Sequence, residues 1–159
     1  MRLSNKHLMT AALVAPVLAL ISYFAIDAFV GESPHAARPG QSYRLAEKPN
    51  CRYESGSCGL KNGDFELLLR PDLTVGESLV LILESEFPLD GVVLALVDAE
   101  AGEGSPQDMQ PRDDSGLVWS LEMPRPDPQK NRLRLAASAS EVLWYGDAAL
   151  KFIDSESRP

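Results

Sequence analysis

The chain has 159 residues, 45% of them hydrophobic, and sets 15 Lys and Arg against 23 Asp and Glu for a formal net charge of −8. Apart from Arg2, Lys6 and Asp27, 13 basic and 22 acidic residues follow Val30, a net of −9. That charge repels nucleic acid and anionic lipid headgroups, and excludes a nucleic-acid-binding role.

The first predicted element is residues 8–26, nineteen residues without a charge, preceded by Arg2 and Lys6. At about 1.5 Å per residue a helix of that length is roughly 28 Å long, close to the hydrocarbon thickness of a bilayer. A cleavable signal peptide has a shorter apolar stretch of roughly 7–15 residues and a small-x-small cleavage site. Here Ile26-Asp27-Ala28 puts a bulky residue where a small one is needed, and no cysteine is placed for acylation. The segment therefore reads as an uncleaved transmembrane helix over 8–30. Pro16 kinks it, Tyr23 sits at headgroup level and Asp27 reaches the interface. The positive charges keep residues 1–7 in the cytoplasm and export everything after Val30. None of the four asparagines starts an Asn-x-Ser/Thr site, consistent with a bacterial source. The expected location is the bacterial inner membrane, single-pass, with the C-terminal domain in the periplasm.

Residues 31–40 combine Pro, Gly and small residues without periodicity and read as a tether. The exported domain then runs over 41–155, about 115 residues, enough for one domain with a core. Cys51 and Cys58, the two cysteines, fall in an oxidising compartment and are expected to form a structural disulfide. Their spacing is not Cys-x-x-Cys, and the exported histidine, His35, lies in the tether, so neither redox nor metal chemistry is indicated.

The remaining elements read as strands. Lys61-Asn62-Gly63-Asp64 is a hairpin signal, with Lys61 expected opposite Asp64 and Leu60 opposite Phe65. Leu67 to Leu69 run into Pro71, expected to end that strand. Residues 78–83 and 92–97 are short apolar runs rich in β-branched residues, expected as central strands. In 117–123, Leu117, Trp119, Leu121 and Met123 share one face. Residues 131–137 point Leu133 and Leu135 inward and Arg132 and Arg134 outward. A last hairpin is expected from 142–145 through a Gly146-Asp147 turn into 148–153. The fold class is all-β: an antiparallel, immunoglobulin-like β-sandwich preceded by one N-terminal transmembrane helix.

One connection, 98–115, is long and acidic. Its Asp98, Glu100, Glu103, Asp108, Asp113 and Asp114 make it the candidate interaction loop. It lacks the ligand order of a calcium loop, and reads as solvated rather than metal-binding. Arg125, Lys130, Arg132 and Arg134 are expected to pair with those acids within the domain. Catalytic residues are not evident. Nucleophilic triads need a histidine held beside the nucleophile, and the two histidines are His7 and His35. No phosphate-binding glycine loop is present, and no cofactor is implied. Met109 and Met123 with His35 are soft donors suited to copper, although Met123 has a plainer place on the inward face of its strand.

Pro88-Leu89-Asp90-Gly91-Val92-Val93 and Gly116-Leu117-Val118-Trp119-Ser120-Leu121-Glu122-Met123-Pro124, with the short start and single anchor, resemble FixH-type membrane-anchored periplasmic proteins. The resemblance covers a small part of the domain. It implies the sandwich fold and periplasmic location, and a link to cytochrome oxidase and copper-pump assembly. Two functions follow as expectations. One is a membrane-anchored interaction or assembly module that meets another envelope protein and has no catalytic activity. The other is a copper-related accessory protein of the envelope.

Overall fold

A computed structural model describes residues 5–30, 37–73 and 78–157. Most of the expected cytoplasmic start, most of the tether and His35 lie outside the described residues. The chain divides into two compact units, Met1–Ala36 and Ala37–Pro159. The first contains helix α1, Asn5–Val30, with Pro16 inside it. Residues His7–Ala25 are long and apolar enough to cross a membrane, and none of that stretch is buried.

The second unit is a β-sandwich. Its strands are β1 Ser42–Arg44, β2 Ala46–Glu47, β3 Cys58–Asn62, β4 Phe65–Leu73, β5 Ser78–Ser85 and β6 Gly91–Asp98. They continue with β7 Gly104–Asp108, β8 Gln110–Pro111, β9 Val118–Pro124, β10 Asn131–Ala139 and β11 Val142–Ala148. One sheet has the order β1-β11-β10-β6-β7, the other β2-β3-β4-β5-β9-β8. All pairings are antiparallel except β1 with β11, which is parallel. The chain passes from the first sheet to the second at Leu45, which is buried between β1 and β2.

The two apolar runs are central strands, β5 between β4 and β9, and β6 between β10 and β7. In β5 buried and half-buried positions alternate, because one face meets the core and the other forms the outside of the sandwich. In β6 the alternation holds through Leu94 and then breaks, since Ala95 and Val97, on the opposite face from Leu94, are buried as well. Trp119 and Met123 point inward from β9, and Leu133 and Leu135 from β10, all buried. Trp144 of β11 crosses the core to stack on Phe65 of β4, ring centroids 4.2 Å apart, and also stacks with Tyr43 at 5.1 Å. The stack thus ties the two sheets together.

Four strand-level expectations are corrected. The first hairpin forms, but Asn62 faces Phe65 and Leu60 faces Leu67. Gly63, at φ +58°, takes the first turn position. Asn62 stays in the strand because its amide donates to the Arg44 carbonyl at 2.8 Å. The slip is two residues, so every side chain keeps its face.

Pro71 does not end β4, which continues to Leu73 with Pro71 opposite Leu81. The β3 partner has already stopped at the Cys58–Leu69 pair, so Pro71 occupies an edge position where a missing N–H is tolerated.

The last hairpin turns at Ser140-Glu141, both at positive φ (50° and 63°), not at Gly146-Asp147. Both positive angles are what a two-residue I′-type turn requires, and the Ser140 N–H is held by Asp90 Oδ2 at 2.9 Å. Gly146 sits inside β11, where a side-chain carbon would come within 2.9 Å of the Leu45 carbonyl. Finally, residues 148–153 are not a strand. β11 ends at Ala148, and Lys151–Ser157 is a 3₁₀ helix.

That helix closes one end of the core. Phe152 and Ile153 are buried at 0% and 1% exposure, and the Phe152 carbonyl accepts the Gly56 N–H at 3.1 Å. Gly56 lies in the loop closed by the Cys51–Cys58 disulfide, which forms as expected. Both cysteines are fully buried. An eight-residue loop stabilises by about 2.5 kcal/mol in the chain-entropy model. Replacing both cysteines with alanine is therefore expected to cost about that much, read as a lowered denaturant midpoint. An unchanged midpoint would mean that the loop is held without its covalent link.

Candidate functional site

The acidic 98–115 segment is not one loop. Asp98 ends β6, and its Oδ1 accepts the N–H groups of Ala101 (2.8 Å) and Glu100 (2.9 Å). Those two donors, Ala101 foremost, hold its carboxyl below the usual aspartate value. The Asp98 N–H donates to the Glu103 carbonyl at 2.9 Å and closes the turn. The chain then returns along β6 as β7, which brings Asp108 opposite Val93. Met109 is buried at 2% exposure, and the chain crosses to the other sheet as β8. Asp113 accepts the hydroxyl and N–H of Ser115, the hydroxyl contributing most to lowering its pKa.

Asp98, Glu100 and Glu103 therefore lie at one end of β6. Asp108, Asp113 and Asp114 lie toward the other, where the Gly116 carbonyl accepts the Leu89 N–H at 2.9 Å. Eight strand residues separate the two groups by on the order of 25 Å. The structure brings the six candidates together as two groups and not as one surface. Their expected basic partners also pair elsewhere. Arg132 pairs with Glu47 at 3.6 Å, Arg134 with Asp147 at 2.9 Å and Lys130 with Asp127 at 3.5 Å. Arg125 donates to the Ile153 carbonyl at 3.4 Å. Among the described residues no group of three His, Cys, Asp or Glu is placed to hold a metal ion. Met109 and Met123 are both core residues, 2% and 3% exposed.

A cleft lies at the Asp98 end of the first sheet and has a volume of about 680 Å³. Five pieces of chain build it, with Arg52 from the turn after β2 and Asp147 from β11 joining the three that follow. The β1–β2 crossing brings Arg44 and Glu47, the outward face of β10 brings Arg132 and Arg134, and the β6–β7 turn supplies the Asp98 wall. Arg132 and Arg134 reach it because strand alternation that turns Leu133 and Leu135 inward turns them out. Across the ladder Arg134 faces Asp147 and Arg132 faces Val97.

Glu47 organises the cleft. Its side chain is 11% exposed and ion-paired to both Arg52 and Arg132. Oε1 accepts Arg52 Nε at 2.7 Å, and Oε2 accepts the Ala149 N–H at 2.8 Å. A carboxylate this enclosed needs such partners, since an unpaired one would pay a large desolvation cost. The sequence reading singled out Arg132 and Arg134 but missed Arg44, Glu47 and Arg52. The alternation of Arg44 and Ala46 about the buried Leu45 is the local trace they leave. Their convergence depends on the crossing between sheets, which no spacing encodes.

No family model matches the chain, and no curated protein matches it. Among solved structures, the one described as the bromine derivative of BhCBM56 is similar at 8% identity with a TM-score of 0.41. The match covers 55% of this chain and 89% of that one. A likeness this slight carries no argument about fold or ligand.

Proposed function

We propose that the protein is a single-pass membrane-anchored binding module, its β-sandwich held outside the cytoplasm of a bacterial cell to meet another envelope protein. The carrying observation is the helix His7–Ala25, none of it buried. Its large apolar side chains stand open, among them Met9 and Leu13 at 70%. Such a continuous apolar surface is costly in water and is accommodated by a bilayer. The buried disulfide supports an oxidising compartment.

The sheet order supports an immunoglobulin-like reading. Strands β4-β5-β9-β8 face β11-β10-β6-β7, as strands A-B-E-D face G-F-C-C′ in that fold, with β3 and β2 added beyond β4 and β1 beyond β11. We read the domain as binding rather than catalytic, since the carboxylates of the cleft are already engaged, Glu47 and Asp147 with arginines and Asp98 with backbone N–H groups. The copper reading finds no donor set among the described residues, and no observation carries it forward.

Alkaline phosphatase fused to the C-terminus is expected to be active, and the protein to pellet with membranes after a carbonate wash. A soluble product starting near residue 30 would sink the anchor. An inactive fusion in a membrane-bound protein would sink the orientation.

A further inference from the structure

We propose that the cleft at the Asp98 end of the first sheet binds a small anion-bearing molecule, its phosphate or carboxylate group gripped by Arg44 and Arg132. This inference lies wholly within Ala37–Pro159 and stands whether or not the helix crosses a membrane.

The argument is an account of charges and donors. Four arginines line the cleft against three carboxylates, a local excess of one positive charge in a region that carries −9 after Val30. Each carboxylate is already committed. Asp147 holds Arg134 at 2.9 Å. Asp98 is turned onto its own backbone, accepting the Glu100 and Ala101 N–H groups. Glu47 is divided between Arg52 and Arg132, and also accepts the Ala149 N–H. The acids are thus spent, which disfavours a cationic ligand.

The guanidiniums are not spent. Arg44 is exposed and forms no ion pair among the described residues. Arg132 reaches Glu47 only at 3.6 Å, an ion-pair distance that leaves most of its N–H fork unused, and its side chain is 43% exposed. A planar fork of donors matches the two oxygens of a carboxylate or phosphate. The volume, about 680 Å³, falls in the range of roughly 300–1,000 Å³ usual for small-molecule sites. Val97 and Ala99 supply an apolar stretch of wall beside the charges, so the anion is expected on an organic body rather than free in a polar cup.

The same anionic group could come from a soluble metabolite or from a lipid headgroup, and one experiment separates the two. The full chain in a neutral detergent is titrated with inorganic phosphate and, separately, with citrate, following the arginine Nε–Hε resonances. Saturable shifts are expected for Arg44 and Arg132, and none for Arg70, whose ion pair with Glu84 lies on the other sheet. Arg44→Gln, which breaks no ion pair, is expected to weaken binding about tenfold or more, as loss of a charged hydrogen bond does. Arg70→Gln is expected to leave it unchanged.

The chain is then placed in phosphatidylcholine nanodiscs with and without phosphatidylglycerol. Shifts at Arg44 and Arg132 caused by phosphatidylglycerol alone identify a headgroup, and shifts that need added soluble anion identify a metabolite. Equal weakening by the Arg44 and Arg70 variants would reduce the effect to diffuse charge and overturn the site. So would the absence of any saturable shift with both soluble anions and with lipid.

Discussion

Phe152→Ala is expected to lower the unfolding free energy of the sandwich by about 4 kcal/mol, within the 3–5 kcal/mol typical of large aromatic truncations in cores. The side chain is completely buried, and its backbone is fixed as well, since its carbonyl accepts the Gly56 N–H from the disulfide loop. The neighbouring Lys151 bridges Glu54 of that loop at 3.5 Å and Asp154 at 3.0 Å, so the space left by the ring cannot collapse without moving two anchored segments. A cavity that cannot close costs the most. Both tryptophans, Trp119 and Trp144, lie in the sandwich, so fluorescence of the full chain in neutral detergent follows the unfolding of this unit alone. A midpoint lowered by on the order of 15 °C is expected for the alanine variant, and a much smaller drop for Phe152→Leu, which fills most of the space. A loss below about 1 kcal/mol for Phe152→Ala would show that the C-terminal 3₁₀ helix is not part of the cooperative core.

That residue also marks where sequence reading stopped. Residues 148, 150 and 152 are apolar and alternate, as a strand does, while 150 and 153 are three apart, as in a 3₁₀ turn. Ala148, Leu150, Phe152 and Ile153 are all buried, and a short apolar run buried on more than one side does not reveal its own period. The preceding error has the same root. Gly146-Asp147 has turn composition, but its glycine answers a close approach by Leu45. The turn falls instead at Ser140-Glu141, two residues that reach positive φ because Asp90 and the flanking ladders hold them there. Tertiary contacts overrode local preference.

Strands with one inward face were legible. The alternation over Leu117–Met123 and Asn131–Ala137 correctly sorted Trp119, Met123, Leu133 and Leu135 from Arg132 and Arg134, because a period of two leaves each side chain one of two faces. The disulfide was legible from spacing and expected compartment. The cleft was not, since Arg44, Glu47, Arg52 and Arg132 meet only after the chain has crossed between sheets at Leu45. The acidic segment misled for a related reason. Its polar residues suited a loop, yet an exposed edge strand such as β7, Gly-Ser-Pro-Gln-Asp, has no buried face to print a pattern.

Trp119→Ala is the second large expected effect, about 3–5 kcal/mol, and Trp119→Phe separates its two causes. The ring is 7% exposed and faces Leu83 across the β5–β9 ladder. Its Nε1–H donates to the Gly116 carbonyl at 2.9 Å, and that same carbonyl accepts the Leu89 N–H. Trp119 therefore braces the start of its own strand against the crossing from β5 to β6. Gly116 makes this geometry available. Its φ is +68°, and a side chain there would come within 2.9 Å of the Leu89 carbonyl, so the backbone can approach only without one. Phenylalanine keeps most of the apolar area and removes the donor, leaving an acceptor still satisfied by Leu89. It is expected to cost only about 1–1.5 kcal/mol beyond the lost ring area. The comparison is read from denaturant midpoints, with the emission of Trp144 reporting unfolding in both variants. Equal losses for alanine and phenylalanine would assign the whole effect to the hydrogen bond. A negligible loss for both would mean that Trp119 is not a brace, and that the sheets are held chiefly by the stack of Trp144 on Phe65.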